Sequence, residues 1–332
     1  MKKGKILVTS IGSVAGDIII KKLKSFNFYV VGCDIYPKEW NANTQLLDCF
    51  YRVPHSKCED YITSILNICI SEGVKFIIPL TDLEIDVYES NRNVFEDIDV
   101  MVCISERRTI ELARNKKKMS DYISSTLQEI KAIPTYNLRE FDMKCPFPLI
   151  CKPVNGRSSQ GKTIISDITD LEYVKRKYES SDVIIQPYIE GRVIVADIVR
   201  SPKRNSRTVV ISRRELLRTQ HGCGITVEIF YDEVLEKICK VLAESIGVLG
   251  CVNFEFIEDY KRDIYFMECN PRFSAGTVFS CMAGYDLVNN HLKVFQGEEI
   301  EDFRLKNEYI YARKYSEYKM SSSAILDAAT TR

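Results

Sequence analysis

Three patterns in the sequence predict an α/β N-terminal domain with a parallel sheet, followed by an α+β module of two subdomains. Over the first hundred residues short apolar runs alternate with helical stretches, the signature of a parallel sheet with helices on both faces. From Arg107 onward a lysine-rich helix leads into apolar strands around a glycine-rich turn. Between 251 and 270 two apolar strands, CVNFEFI and IYFMECN, flank the polar loop EDYKRD and read as an antiparallel hairpin.

The N-terminal elements follow in order. KILVTS is a buried strand, Gly12 to Gly16 a turn, and DIIIKKLKSF a helix. NFYVVGCD and LDCFYRVP are the next strands. DYITSILNICISEG is an amphipathic helix with Ile62, Ile65, Leu66 and Cys69 on one face. FIIPL, a helix around Asp82 to Ser90, and VMVCIS complete the Rossmann-like set. The turn is G-x-x-x-G rather than G-x-G-x-x-G, so Gly12 and Gly16 serve a tight strand-to-helix turn rather than a dinucleotide. Asp34 ends the second strand, where a ribose-binding acid would sit.

Expected boundaries are 1–106 for the α/β domain, 107–186 for a small subdomain, 187–318 for a large subdomain and 319–332 for a polar tail. In the large subdomain, YDEVLEKICKVLAESIG places Val234, Ile238, Val241, Leu242 and Ser245 on one face of a sheet-packing helix. Lys plus Arg and Asp plus Glu both number 46, so no general nucleic-acid or membrane surface is expected. Twelve cysteines show no C-x-x-C pair, and His55, His221 and His291 are scattered, which argues against a zinc site. Buried reduced thiols in a cytoplasmic protein are expected. No apolar run reaches roughly 18 residues, and MKKGKILVTS enters a strand at once, so neither a membrane span nor a signal peptide is expected.

The hairpin carries the chemistry. With its turn near Lys261 and Arg262, Glu255 opposes Glu268 and Asn253 opposes Asn270, at Cβ separations of roughly 5 Å. Alternation puts Asn253, Glu255 and Ile257 on one face of the first strand, and Ile264, Phe266, Glu268 and Asn270 on one face of the second. Opposed carboxylates repel on their own, and a divalent cation reverses that sign. Carboxylate and amide oxygens are hard ligands suited to Mg²⁺ completed by phosphate and water. Arg272 follows at once as a candidate phosphate ligand.

Gly156 to Thr163 matches the P-loop pattern G-x-x-x-x-G-K-[ST], but a P-loop opens a helix, and Thr163-Ile164-Ile165 reads as a strand. The next helix start is Thr169-Asp170-Leu171-Glu172, of capping-box form. The glycine-rich stretch therefore joins two strands, LICKPV and KTIIS, and a hairpin turn of this kind wraps phosphates with backbone N–H groups. Lys152 lies inside the first of them and needs an anionic partner or a route to water.

The order of lysine-rich helix, K-P strand, glycine-rich turn, I-I-Q-x-Y-I-x-G and N-x-E…E-x-N-P-R resembles the ATP-grasp superfamily, in particular single modules similar to half of the carbamoyl-phosphate synthetase large subunit. The likeness covers nearly the whole chain, including the α/β domain that precedes the module. It implies ATP with one or two Mg²⁺ ions, Mn²⁺ being the alternative metal. Lys116 or Lys118 would be the first nucleotide lysine, and Lys152 would contact the α- and β-phosphates. Ser158, Ser159, Gln160 and Gly161 would form a lid over the phosphates; Gln186, Tyr188 and Ile189 would line the adenine pocket. Glu255, Glu268 and Asn270 would hold the metal, and Arg272 would stabilise the transferring phosphoryl group. Where family members carry a ribose-binding Glu, this chain has Val193, which leaves Asp197 or Glu190 for the ribose.

The implied reaction is ADP-forming carboxylate–amine ligation through an acyl phosphate, with small-molecule acid and amine as partners and a homodimer as the default assembly. Arg213 or Arg214, on the strand VVISRRELLR, would bind the carboxylate or acyl phosphate. The alternatives are carbamoyl-phosphate-type chemistry and a nucleotide-binding protein without ligase activity. The acceptor pocket would draw on the N-terminal domain, with Glu84 and the Gly12 turn as candidates.

Overall fold

The computed structural model describes residues 3–156, 161–179, 182–202, 206–220 and 222–320. In the N-terminal domain β1 (Lys5–Val8), α1 (Gly16–Ser25), β2 (Tyr29–Asp34), β3 (Cys49–Arg52), α2 (Tyr61–Glu72), β4 (Phe76–Ile78), α3 (Asp82–Ser90), α4 (Arg92–Glu96) and β5 (Met101–Val102) follow the expected alternation. The sheet is parallel throughout, in the order β3-β2-β1-β4-β5. Its strands are apolar because both faces are covered: Leu7, Val31 and Ile77 pack under α2 and α3, and Ile6, Val8 and Val30 under α1. The strand order reverses between β1 and β4, and the crevice outside the carboxyl ends of the strands opens there.

Two further helices, α5 (Arg107–Arg114) and α6 (Lys116–Thr126), precede a small antiparallel sheet. That sheet holds β6 (Tyr136–Asn137), β7 (Leu149–Pro153), β8 (Thr163–Ile165) and β9 (Val183–Pro187) in the order β6-β9-β7-β8, backed by α7 (Ile168–Lys177). Cys151 pairs with Thr163, so the glycine-rich stretch closes a β7–β8 hairpin, and no helix opens after Lys162. The P-loop match is therefore one of letters only. The capping box expected at Thr169 is displaced: Asp167 caps α7, accepting from the N–H groups of Thr169 and Asp170. An acid two residues earlier wins because its short side chain reaches both orphan donors at once.

The large sheet contains β10 (Gly191–Ser201), β11 (Arg207–Arg218), β12 (Gly224–Phe230), β13 (Gly250–Asp259), β14 (Ile264–Asn270) and β15 (Tyr309–Ala312). Their order is β14-β13-β10-β11-β12-β15, all antiparallel. Helix α8 (Glu233–Ile246) lies on one face, and α9 (Thr277–Met282) and α10 (Leu287–Gln296) on the other. Period-two alternation sorts the strands. Ile194, Ala196, Ile198, Phe254 and Phe256 face α5, α6 and α8, whereas Val199, Val209, Ile211 and Val227 face α9, α10 and the N-terminal domain. The lysine-rich helix α6 thus packs on the large sheet through Met119 and Ile123, although the small-sheet strands follow it in sequence.

The buried stripe of α8 differs from the expected one. Leu235, Cys239, Leu242, Ala243 and Ile246 face the sheet, and Val234 is 66% exposed. The i, i+4, i+7, i+11 series from Leu235 is continuous at 3.6 residues per turn, and only Leu242 belongs to both stripes. Among the described residues no helix is long and apolar enough to cross a membrane. All but residues 319 and 320 of the expected tail lie outside the described residues.

Candidate active site at the sheet junction

The register of the β13–β14 hairpin decides the site. Asn253 pairs with Asn270 and Glu255 with Glu268, as the turn position predicts. The next pair is Phe256 with Phe266, so β14 carries an extra residue, Met267, in a bulge. The bulge corrects the expected face. Phe266 turns away from Glu268 and joins Phe254 and Phe256 in edge-on ring contacts at 5.9 and 5.6 Å. Each such pair contributes about 0.5–1.5 kcal/mol beyond area burial, which anchors the bulge and with it the orientation of Glu268.

Helix α6 delivers the first lysine. Asn115 caps it by accepting from Lys118 N at 2.9 Å. Successive helical residues point about 100° apart, so three consecutive lysines point three ways. Lys117 pairs with Asp121 on the solvent side, and Lys118 is exposed. Lys116 turns inward, donating to Gly156 O at 2.6 Å and lying 3.2 Å from Glu268 Oε2. Of the two candidate lysines, Lys116 stands in the cluster and Lys118 does not reach it.

Lys152 projects from β7 toward the same place. Burial lowers its pKa to about 8, with Glu268 opposing and Lys116 reinforcing the shift. Burial pushes Glu255 up to about 7, and the facing charge of Glu268 adds to it. For Glu268 burial acts upward as well, but Lys116 and Lys152 outweigh it and hold the carboxyl below its usual value. Asn270 Nδ2 donates to Glu255 Oε1 at 3.2 Å and to Asn253 Oδ1 at 3.3 Å, leaving its carbonyl oxygen as the donor atom for a ligand.

The two half-buried carboxylates and the amide oxygens form a hard-oxygen set, and burial together with the facing charge of Glu268 pushes Glu255 upward. These residues fit Mg²⁺. Among the described residues no group of three His, Cys, Asp or Glu assembles as a metal cage, so phosphate and water would complete the coordination. A cavity of about 230 Å³ opens here, lined by Arg213, Glu215, Arg218, Glu255, Glu268 and Asn270.

Several expected residues sit elsewhere. Asp197 is fully buried and holds Arg213 NH1 at 2.8 Å, Ser280 Oγ at 2.7 Å and Asn253 Nδ2 at 3.2 Å, so it is not available to a ribose. Arg213 faces the cavity but is boxed by Asp197, by Glu215 at 3.3 Å and by Ser274 at 3.1 Å. Arg214 lies on the opposite face, as alternation requires. Its guanidinium stacks 3.6 Å from the Phe230 ring centroid and pairs with Glu228 and Glu258. Gln186 is 2% exposed and donates to Thr135 Oγ1 at 2.7 Å; Tyr188 is exposed and Ile189 half-buried, in the linker between the sheets. Gly161 has φ +69°, the left-handed conformation that closes the β7–β8 turn, while Ser158, Ser159 and Gln160 lie outside the described residues.

Arg272 lies at the border with the N-terminal domain and makes a two-pronged pair with Asp82. Burial acts against its charge, and Asp82 overcomes that and raises its pKa. Sequence reasoning missed Glu215 and Arg218, which stand 3.6 Å or less from the cluster or from each other. Glu215 shares the face of Arg213 and could have been found by alternation. Arg218 reaches Glu255 only because the β11–β12 register shifts on either side of Leu217.

A lysine-bearing small antiparallel sheet closing on a carboxylate-bearing hairpin of a larger one is the architecture of an ATP-grasp module. The chain carries an ATP-grasp domain and a PylC-like N-terminal domain. Residues 179–317 match the family described as ATP-grasp in the biosynthetic pathway with Ter operon, and residues 6–103 match the PylC-like N-terminal domain. Among curated relatives, the carbamoyl phosphate synthase large chain of Clostridium perfringens is 25% identical over 208 residues, 58% of this chain and 19% of that one. This chain thus spans about a fifth of the length of such relatives. Among solved structures, biotin carboxylase from Campylobacter jejuni matches with a TM-score of 0.77 at 19% identity, over 93% of this chain and 75% of that one. N5-carboxyaminoimidazole synthetase from Staphylococcus aureus, complexed with ADP, matches with a TM-score of 0.75 at 15% identity, over 93% and 82%. These two likenesses concern the fold.

Proposed function

We propose that this chain is an ATP-dependent, ADP-forming carboxylate–amine ligase acting on small molecules. The observation that carries the reading is the convergence of Lys116, Lys152, Glu255, Glu268 and Asn270 from four separate elements onto one junction beside Arg272. Lys116 and Lys152 would take the nucleotide phosphates, and Glu255, Glu268 and Asn270 would hold Mg²⁺. The metal supplies neutralisation of phosphate charge. Arg272 would meet the transferred phosphoryl group and stabilise charge as it shifts. A substrate carboxylate attacks the γ-phosphorus and ADP leaves; an amine then attacks the acyl carbon of the acyl phosphate, phosphate leaves, and an amide forms.

A second reading, a nucleotide-binding protein without turnover, draws on Val193. Val193 pairs with Ile257 at the start of β10 and offers no side-chain oxygen to a ribose. The experiment that separates the two is product analysis with Mg-ATP and pooled acids and amines. ADP and phosphate appearing only with a particular acid–amine pair support the ligase. AMP and pyrophosphate, or ATP binding with no turnover in any pool, count against it.

A further inference from the structure

The N-terminal domain holds a cavity of about 870 Å³ at the carboxyl ends of β1, β2 and β4. Val14, Ala275 and Arg272 line both this cavity and the smaller one at Glu255 and Glu268, so the two spaces meet at Arg272. A molecule in the crevice can therefore present one end to the phosphoryl site.

The wall chemistry selects what that molecule is. Asp34 and Glu84 both line the crevice and are 6% and 4% exposed. Asp34 accepts from Gly12 N at 2.8 Å and Tyr36 N at 3.2 Å. Glu84 accepts from Tyr61 OH at 2.9 Å, Thr81 Oγ1 at 2.9 Å and Thr81 N at 3.2 Å. Every one of these donors is neutral. Among the described residues no Lys, Arg or His forms an ion pair with either carboxylate. Buried carboxylates normally meet a cation.

The cations nearby are not available to them. Arg272 is engaged by Asp82, and His55, at the rim, accepts from Lys57 N through Nδ1. The turn donor Gly12 N–H, which an anion would seek, is already taken by Asp34. One hydroxyl in the wall, Ser13 Oγ, has no hydrogen-bond partner, and the fully buried Thr9 hydroxyl lies close enough to Glu84 to act on its carboxyl. At the mouth, Tyr36 and Trp40 stack at 5.9 Å with each ring half-exposed. Aromatic faces beside carboxylates bind an organic cation by charge and by cation–π attraction.

The geometry points to this crevice as the subsite for the amine substrate, taken up as an ammonium-bearing small molecule between the Tyr36–Trp40 pair and the Asp34 and Glu84 carboxylates. The assignment rests on the ligase reading and adds the chemical class of the nucleophile and its route to the acyl phosphate.

Trp40 is the single tryptophan of the chain, so fluorescence excited selectively at tryptophan, beyond tyrosine absorption, reports on the crevice mouth. The test titrates the full chain, with and without Mg-ATP, with 1,4-diaminobutane, L-lysine, succinate and inorganic phosphate. Saturable change with an amine but not with the anions is expected. Glu84→Gln should weaken it at least about tenfold. Tyr36→Leu, at an exposed position that spares the fold, should weaken it severalfold. Saturation by succinate or phosphate in place of the amines overturns the assignment, as does silence toward both amines. An amine response that neither variant alters overturns it too. ADP formation is scored separately: a chain that binds amine at Trp40 but never turns over ATP keeps the subsite and loses the ligase.

Discussion

Asp82 and Arg272 stand 190 residues apart and form a bidentate pair, Arg272 Nε to Asp82 Oδ1 at 3.0 Å and NH2 to Oδ2 at 2.9 Å. Asp82 opens α3 of the N-terminal domain, and Arg272 follows the β13–β14 hairpin. The pair therefore fixes one domain against the other at the point where the two cavities meet. Arg272→Lys keeps the charge but cannot make the two parallel bonds. Denaturant unfolding should show a loss of about 1.5–3 kcal/mol, the range for hydrogen bonds to charged groups. ATP turnover should fall by about a hundredfold, as for loss of one preorganised charge donor. Unchanged turnover would remove Arg272 from the phosphoryl site.

Glu268 is the carboxylate on which both lysines act. Glu268→Gln preserves shape and removes the charge that Lys116 meets at 3.2 Å. ADP formation should drop by about 10²–10³-fold, while the far-UV spectrum stays native. Retained full activity would sink the metal assignment. Glu255→Gln should act in the same direction, and because burial already pushes Glu255 up to about 7, its loss should disturb the apo fold less.

Arg213 tests a different claim, that the guanidinium is a structural element under the cavity rather than a substrate ligand. Gly276 is the fourth wall of its box: a Cβ there would lie 2.4 Å from Arg213 Cζ. Gly276→Ala must displace a buried ion pair with Asp197 and Glu215. Overpacking of this kind costs about 1–3 kcal/mol. Thermal or denaturant midpoints should fall accordingly, with KM for the acid substrate moving less than stability. A large KM effect with full stability would instead return Arg213 to substrate binding.

The hairpin was legible because strand side chains alternate with period two and a tight polar loop sets the register; the Glu255–Glu268 and Asn253–Asn270 pairs follow from those two facts alone. The bulge at Met267 was not, since it depends on Phe266 finding Phe254 and Phe256 across the sheet. Asp197 and Arg213 were each singled out, but their mutual pairing was hidden. In the register Arg213 faces Val195, and Asp197 is reached diagonally along β10. Asp82 lay beyond local reasoning for the same cause at longer range: its partner belongs to the other domain, and no sequence period links positions 190 apart. The lysine run at 116 to 118 was readable as a site but not as a register, because helical rotation alone does not say which of three faces meets the sheet.

Lys152 gives the pH dependence. Burial lowers its pKa from 10.5 to about 8, Glu268 and Glu255 pull it up, and Lys116 and Lys162 push it down. Near neutral pH the amine is mostly protonated and ready for a phosphate. Above about pH 8 it is mostly neutral in the empty protein. A bound triphosphate restores the proton by raising the pKa again. ATP binding should therefore take up close to one proton at about pH 9 and far less at about pH 6.5, and affinity should decline by up to about tenfold per pH unit above 8. Calorimetry in two buffers of different ionisation enthalpy measures the uptake directly. Lys152→Met should weaken binding at neutral pH and flatten the alkaline decline. Wild-type protein that binds ATP at alkaline pH with no proton uptake would place Lys152 away from the phosphates.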